Sequence, residues 1–261
     1  MANDMNRLID MMYERIEDAK SPALKPNLSM VDRDEMLDLL DEEIKHTDSG
    51  LDIIIHITSP KEKAEPENTV EVIALGPLTN LAVAIRLAPE TMKRVKRISV
   101  MGSAGLGTGN VTPASEFNIW QDPESAKIVV ESGLPMMFVG WDACLDDAML
   151  SAADIERIRS SGELGKFAID CNKCLMEMNC GRFGEPCLDM ADPAAMAAAL
   201  CPECIEKCDK YYCEVDISFG ISAGAVLVDI YQFSGKEPNV WICSKLKPQV
   251  YKDYIFRTLH A

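Results

Sequence analysis

Leu75-Gly76-Pro77-Leu78-Thr79-Asn80, Met101-Gly102, Gly109-Asn110-Val111-Thr112-Pro113-Ala114-Ser115-Glu116-Phe117-Asn118 and Asp122-Pro123 punctuate residues 75–123, and the reading of this stretch decides the fold. The apolar run Val70–Ala74 stops at a Gly-Pro turn, and a helix is expected to open at Thr79. A second apolar run, Ile98–Met101, stops at Gly102. Two strands that end in loops with a helix between them form a βαβ unit. Ligands of such sheets bind at the carboxyl ends of the strands, where the polar residues Asn110, Glu116 and Asn118 fall.

Together these motifs resemble the inosine–uridine type nucleoside hydrolases, which cleave the N-glycosidic bond of nucleosides with a bound calcium ion. The resemblance runs from about Ile53 to Leu259. It implies an α/β fold with a mostly parallel sheet flanked by helices. By resemblance, the Leu75 carbonyl and the Asp192 carboxylate match calcium ligands. Asn110, Glu116 and Asn118 match residues that hold the ribose hydroxyls, and Met101 matches a methionine packed near the sugar. A small-molecule nucleoside or ribose as partner, and a homo-oligomer, are implied in the same way.

The N-terminal part departs from that pattern. The family opens with a strand and an Asp-x-Asp-x-x-x-Asp-Asp loop that binds calcium and supplies the general base. Its nearest echo is Asp32-Arg33-Asp34-Glu35-Met36-Leu37-Asp38-Leu39, where Leu39 replaces the last aspartate. No strand precedes it, so carboxylates on a solvated helix face explain it better. The first βα units are therefore expected to be lost or remodelled, and no catalytic base is assigned. Ala191 stands where some members have a histidine, and His46, His56 and His260 lie elsewhere. One carboxylate and one carbonyl hold calcium poorly, because ligand charge sets affinity.

Residues 1–50 read as a divergent acidic segment and 51–261 as the hydrolase-like domain. Met5, Leu8, Met12 and Ile16 share one helix face, and Met36, Leu37, Leu40 and Ile44 a second. Leu51–Ile57 reads as helix or strand. Further on, Asp122 and Asp192 are expected as helix N-caps ahead of prolines. Ser151–Arg159, Leu164–Met178 and Pro248–Leu259 read as helices, and Gly181–Pro186 as a loop. Met136–Gly140, Val226–Ile230 and Asn239–Cys243 read as strands. Trp141-Asp142 closes the first of these, with Asp142 facing the site or serving a turn. Lys93, Arg94, Lys96 and Arg97 read as a solvated face.

The 261 residues carry a net charge of −16, which opposes binding to nucleic acid. No apolar run approaches the roughly 18–20 residues of a membrane span, and the N-terminus lacks a secretion signal, so a cytoplasmic location is expected. Ten cysteines include the pairs Cys171/Cys174 and Cys201/Cys204. Four thiolates suit zinc or an iron–sulfur cluster, but cysteine also behaves as a small buried hydrophobe, the reading favoured here.

Three functions follow. The first is a ribonucleoside hydrolase, impaired by its missing aspartates. The second is an inactive nucleoside- or ribose-binding protein, and the third a structural protein built on a cysteine-bound metal.

Overall fold

Strand β1 (Glu71–Ala74) leads through the Gly-Pro turn into helix α1 (Thr79–Leu87), after which Pro89 restarts a short helix α2 (Pro89–Met92). Strand β2 (Arg97–Met101) then pairs parallel to β1, so the expected βαβ unit is present. These elements belong to a computed structural model that describes residues 67–261. The helices expected in residues 1–45, the run 51–57, the Asp32–Leu39 pattern and the boundary at residue 50 lie outside the described residues.

After β2 come α3 (Phe117–Gln121), α4 (Pro123–Val130) and β3 (Met136–Val139), which extends the parallel sheet. Helices α5 (Ala152–Arg159), α6 (Glu163–Asp170), α7 (Lys173–Phe183) and α8 (Ala191–Leu200) follow. The chain closes with β4 (Ile205–Val215), β5 (Val226–Asp229), β6 (Val240–Leu246) and α9 (Pro248–Thr258). The strand order is β1-β2-β3-β6-β4-β5. The first four strands in that order are parallel; β4 is antiparallel to β6 and β5 to β4.

Strand β3 shows why both sheet faces must be covered. All four of its residues are buried. Met136 and Phe138 point into one core with Leu81, Val129 and Ile98, while Met137 and Val139 point into another with Ile158, Ala195 and Tyr251. Period-2 alternation sends successive side chains to opposite faces, so a strand buried on both sides reads as a continuous apolar run. Helices α1 and α4 cover one face; α5, α8 and α9 line the other. The alanines of α8 let it lie close on the sheet, with Ala194, Ala195, Ala197 and Ala198 fully buried.

The structure differs from the sequence reading at four places. The helix expected over Leu164–Met178 is two helices broken at Cys171-Asn172. Gly181 lies inside α7 rather than in a loop, and the helix ends at Gly184, whose φ of 85° supplies the left-handed stop. Strand β4 and the short helix α3 have no counterpart in the expected elements. The basic run does lie on a polar face: Lys93 pairs with Glu90, and Lys96 and Arg97 both pair with Glu71.

Candidate active site

The loop ahead of α3 builds the first part of the site. Its Gly109 has to be glycine, because a Cβ there would lie 2.3 Å from the carbonyl oxygens of Thr112 and Ser115. Thr112 Oγ1 accepts from the Ala114 and Ser115 amides, and the Ser115 carbonyl accepts from the amide of Asn110, closing the turn. A helix leaves its first amides without internal partners. In α3, Asn110 Oδ1 accepts from the Phe117 amide at 2.9 Å. Glu116 accepts from the Asn118 amide at 2.9 Å and the Ile119 amide at 3.3 Å. The side chains expected to meet a sugar are thus also the cap of α3.

Asn118 joins this cap to the strand ends. Its Nδ2 donates to the Leu75 carbonyl (3.3 Å), the Met101 carbonyl (3.2 Å) and Met101 Sδ (3.2 Å). Leu75 follows β1 and Met101 ends β2, so one carboxamide ties together the carboxyl ends of neighbouring strands.

Glu116 is buried to 2% exposure. Loss of water pushes its pKa up to about 7, against the three backbone amides of Asn118, Ile119 and Ser103 that hold it down. The negative charge of Asp192 raises it further, which brings the start of α8 into the same electrostatic site. Asp192 is exposed and lies within the first turn of α8, whose N-cap is Met190. The expectation that Asp192 is the N-cap is corrected: the helix begins at Ala191, two residues earlier than that cap would start it. The structure therefore brings Leu75, Met101, Glu116 and Asn118 together, joins Asn110 through the α3 cap, and sets Asp192 within electrostatic reach.

Asp122 is a cap, accepting from the Ser125 amide at 3.0 Å and from the Thr79 hydroxyl. Asp142, in the turn after β3, holds the glycine loop that follows β2. Its Oδ2 accepts from the Leu106 amide at 2.8 Å, and its Oδ1 sits where a Cβ on Gly105 or Gly140 would fall. Burial lifts its pKa to about 6. Sequence reasoning missed Ser103, whose amide reaches Glu116, and Asp189, buried between Trp141 Nε1 (2.8 Å) and Asn179 Nδ2 (2.6 Å). No motif marks either residue; a buried carboxylate shows itself only through its partners.

The profile of the inosine-uridine preferring nucleoside hydrolases matches residues 15–253. The chain belongs to that family. The match starts well ahead of Ile53, where the resemblance in the motifs begins. The chain is 33% identical over 219 residues to the pyrimidine-specific ribonucleoside hydrolase RihA of Salmonella paratyphi C, covering 81% of this chain and 67% of that one. RihA of an Enterobacter species is 34% identical over 203 residues, covering 75% and 62%. The chain thus spans about two thirds of the length of these relatives. Among solved structures, a plant nucleoside hydrolase superposes with a TM-score of 0.68 at 26% identity, covering 75% of this chain and 63% of that one. A purine-preferring ribonucleoside hydrolase from Gardnerella vaginalis shares the fold, with a TM-score of 0.66 at 24% identity, covering 74% and 61%.

Members of this nucleoside hydrolase family are expected to hold calcium, which takes about six to eight oxygen ligands. Two of the expected donors lie among the described residues. The Leu75 carbonyl already accepts from Asn118, and the other is the Asp192 carboxylate. Among the described residues, no group of three or more His, Cys, Asp or Glu stands close enough to hold a metal ion. These residues alone therefore do not fit the ion. The cysteines are not uniformly buried as expected: Cys171, Cys174 and Cys180 are exposed, whereas Cys201 and Cys204 are buried. Among the described residues, no helix is long and apolar enough to cross a membrane.

Proposed function

We propose that this family member grips the ribose of a ribonucleoside at the carboxyl ends of β1 and β2, and that its hydrolysis of the N-glycosidic bond to ribose and base is impaired. One observation carries the grip: Asn110, Glu116 and Asn118 are held in complementary hydrogen-bonding states. Asn118 uses its amide protons on Leu75 and Met101 and retains its oxygen as an acceptor. Asn110 uses its oxygen on Phe117 and retains its amide protons. Glu116, with a pKa of about 7, exchanges between donor and acceptor near neutrality. A pair of sugar hydroxyls needs both kinds of partner, since each hydroxyl donates and accepts.

The shortage of oxygen donors at Leu75 and Asp192 supports the impairment. What turnover remains draws its further carboxylates from residues 1–66 or from a second copy of the chain in a homo-oligomer. Residues 1–50 form the divergent segment in this reading and residues 51–261 the hydrolase-like domain. The names of the RihA relatives favour pyrimidine ribonucleosides as substrates.

The same shortage favours the second reading, an inactive binder. Ribose release from uridine, cytidine and inosine, with calcium added, separates the two. Slow release that Asp192→Ala abolishes supports the hydrolase. Calorimetric binding of uridine without release supports the binder. Neither binding nor release would overturn both.

A further inference from the structure

Strand β4 is held to β6 by an antiparallel ladder in which Cys208 lies directly opposite Cys243. Residues directly opposite in such a ladder have Cα atoms about 4.5–5.5 Å apart and side chains on the same face. That spacing falls inside the range of about 4.4–6.8 Å over which a disulfide closes. Both side chains border the core beneath α5, α8 and α9. Cys243 is fully buried, and Cys208 is half-buried. The register slips on either side of Lys207, just ahead of Cys208. An irregular ladder gives the strand backbone freedom to adjust.

We propose that Cys208 and Cys243 form a thiol–disulfide site, oxidised by a low-molecular-weight disulfide to a bond across β4 and β6. The Cys208 thiolate attacks a sulfur of glutathione disulfide, forming a mixed disulfide and releasing one glutathione. The Cys243 sulfur then attacks Sγ of Cys208, forming the cross-strand bond and expelling the second glutathione. The two cysteine protons end on the two released thiols, and two electrons pass from the pair to the oxidant.

The order of attack follows from the surroundings. Cys208 is the thiol a dissolved disulfide can reach, and its partner Cys243 holds its pKa below the usual thiol value despite partial burial. Cys208 and burial push the Cys243 thiol up, so it does not make the first attack, and its buried place opposite Cys208 leaves it the second, internal step. Cys204 is the competing thiol, buried and close enough to act on Cys243.

The full chain, folded and incubated with glutathione disulfide, is alkylated, digested with trypsin and examined by mass spectrometry. The expected product joins the peptide 208–210 to the peptide 237–245, and its unfolding midpoint rises and returns on reduction. In Cys208→Ser the cross-link is lost and Cys243 stays reduced. In Cys243→Ser a glutathione adduct persists on Cys208. Circular dichroism of each variant confirms that it is folded. A native chain that keeps the adduct on Cys208, leaves Cys208 unmodified, or joins Cys243 to Cys204 overturns the proposal.

Discussion

Replacing Glu116 by glutamine tests whether the α3 cap carries a titrating group near neutral pH. Burial moves its pKa from 4.5 to about 7. That rise corresponds to about 3 kcal/mol between the two protonation states. The folded value lies above the unfolded one, so the native protein binds this proton more tightly. The stability it contributes is full below the unfolded pKa of 4.5 and is lost as pH rises through about 7. Between about pH 5 and pH 8 the carboxyl thus costs the native protein about 2.5 kcal/mol, a change that a neutral glutamine cannot undergo.

Glutamine loses one acceptor at the α3 amides, but that penalty does not vary with pH. Urea unfolding of both proteins at the two pH values gives the double difference, with equal m-values as the check on two-state behaviour. The difference between wild type and Glu116→Gln should change by about 2–3 kcal/mol across the range. A difference that stays constant within about 0.5 kcal/mol refutes the raised pKa, and with it the claim that Glu116 can both donate and accept.

Three further outcomes follow from the same geometry. Asp192→Asn removes a negative charge that raises Glu116, so the Glu116 titration moves to lower pH, as read by carboxyl-carbon NMR. Gly109→Ala drives a Cβ to 2.3 Å from two carbonyl oxygens. It should cost about 1–3 kcal/mol in urea unfolding and weaken uridine binding measured by calorimetry. Trp141→Phe takes the 2.8 Å donor from buried Asp189 and leaves the carboxylate with the Asn179 Nδ2 donor. A loss of about 1.5–3 kcal/mol is expected from thermal unfolding followed by circular dichroism.

Strands β1 and β2 and helix α1 were legible because each announces itself. Buried parallel strands are short apolar runs, and Gly76-Pro77 and Gly102 mark their ends. Asp122 behaves as the cap its position implies. Strand β4 was not legible: Glu206-Lys207 and Asp209-Lys210 place charged neighbours on both faces, and the register slips around Lys207 break the period-2 pattern. Helix α3 was missed because it is five residues long and capped by a glutamate, outside the usual cap residues. The six site residues were named through the family motifs. What the sequence did not disclose is how they connect, because the Asn118 contacts cross from residue 118 to residues 75 and 101.

The position of β6 governs how the chain can be made. Among the described strands it is the last in the chain, yet it lies between β3 and β4 in the sheet. Until residue 246 has emerged, β3 lacks its second parallel neighbour and β4 lacks the strand that connects it to the rest. A nascent chain ending ahead of β6 therefore carries two separate strand groups with open edges, the kind of species prone to aggregate. The sheet is joined only once β6 is made, and chains halted ahead of residue 240 should collect on holdase chaperones rather than accumulate as soluble fragments.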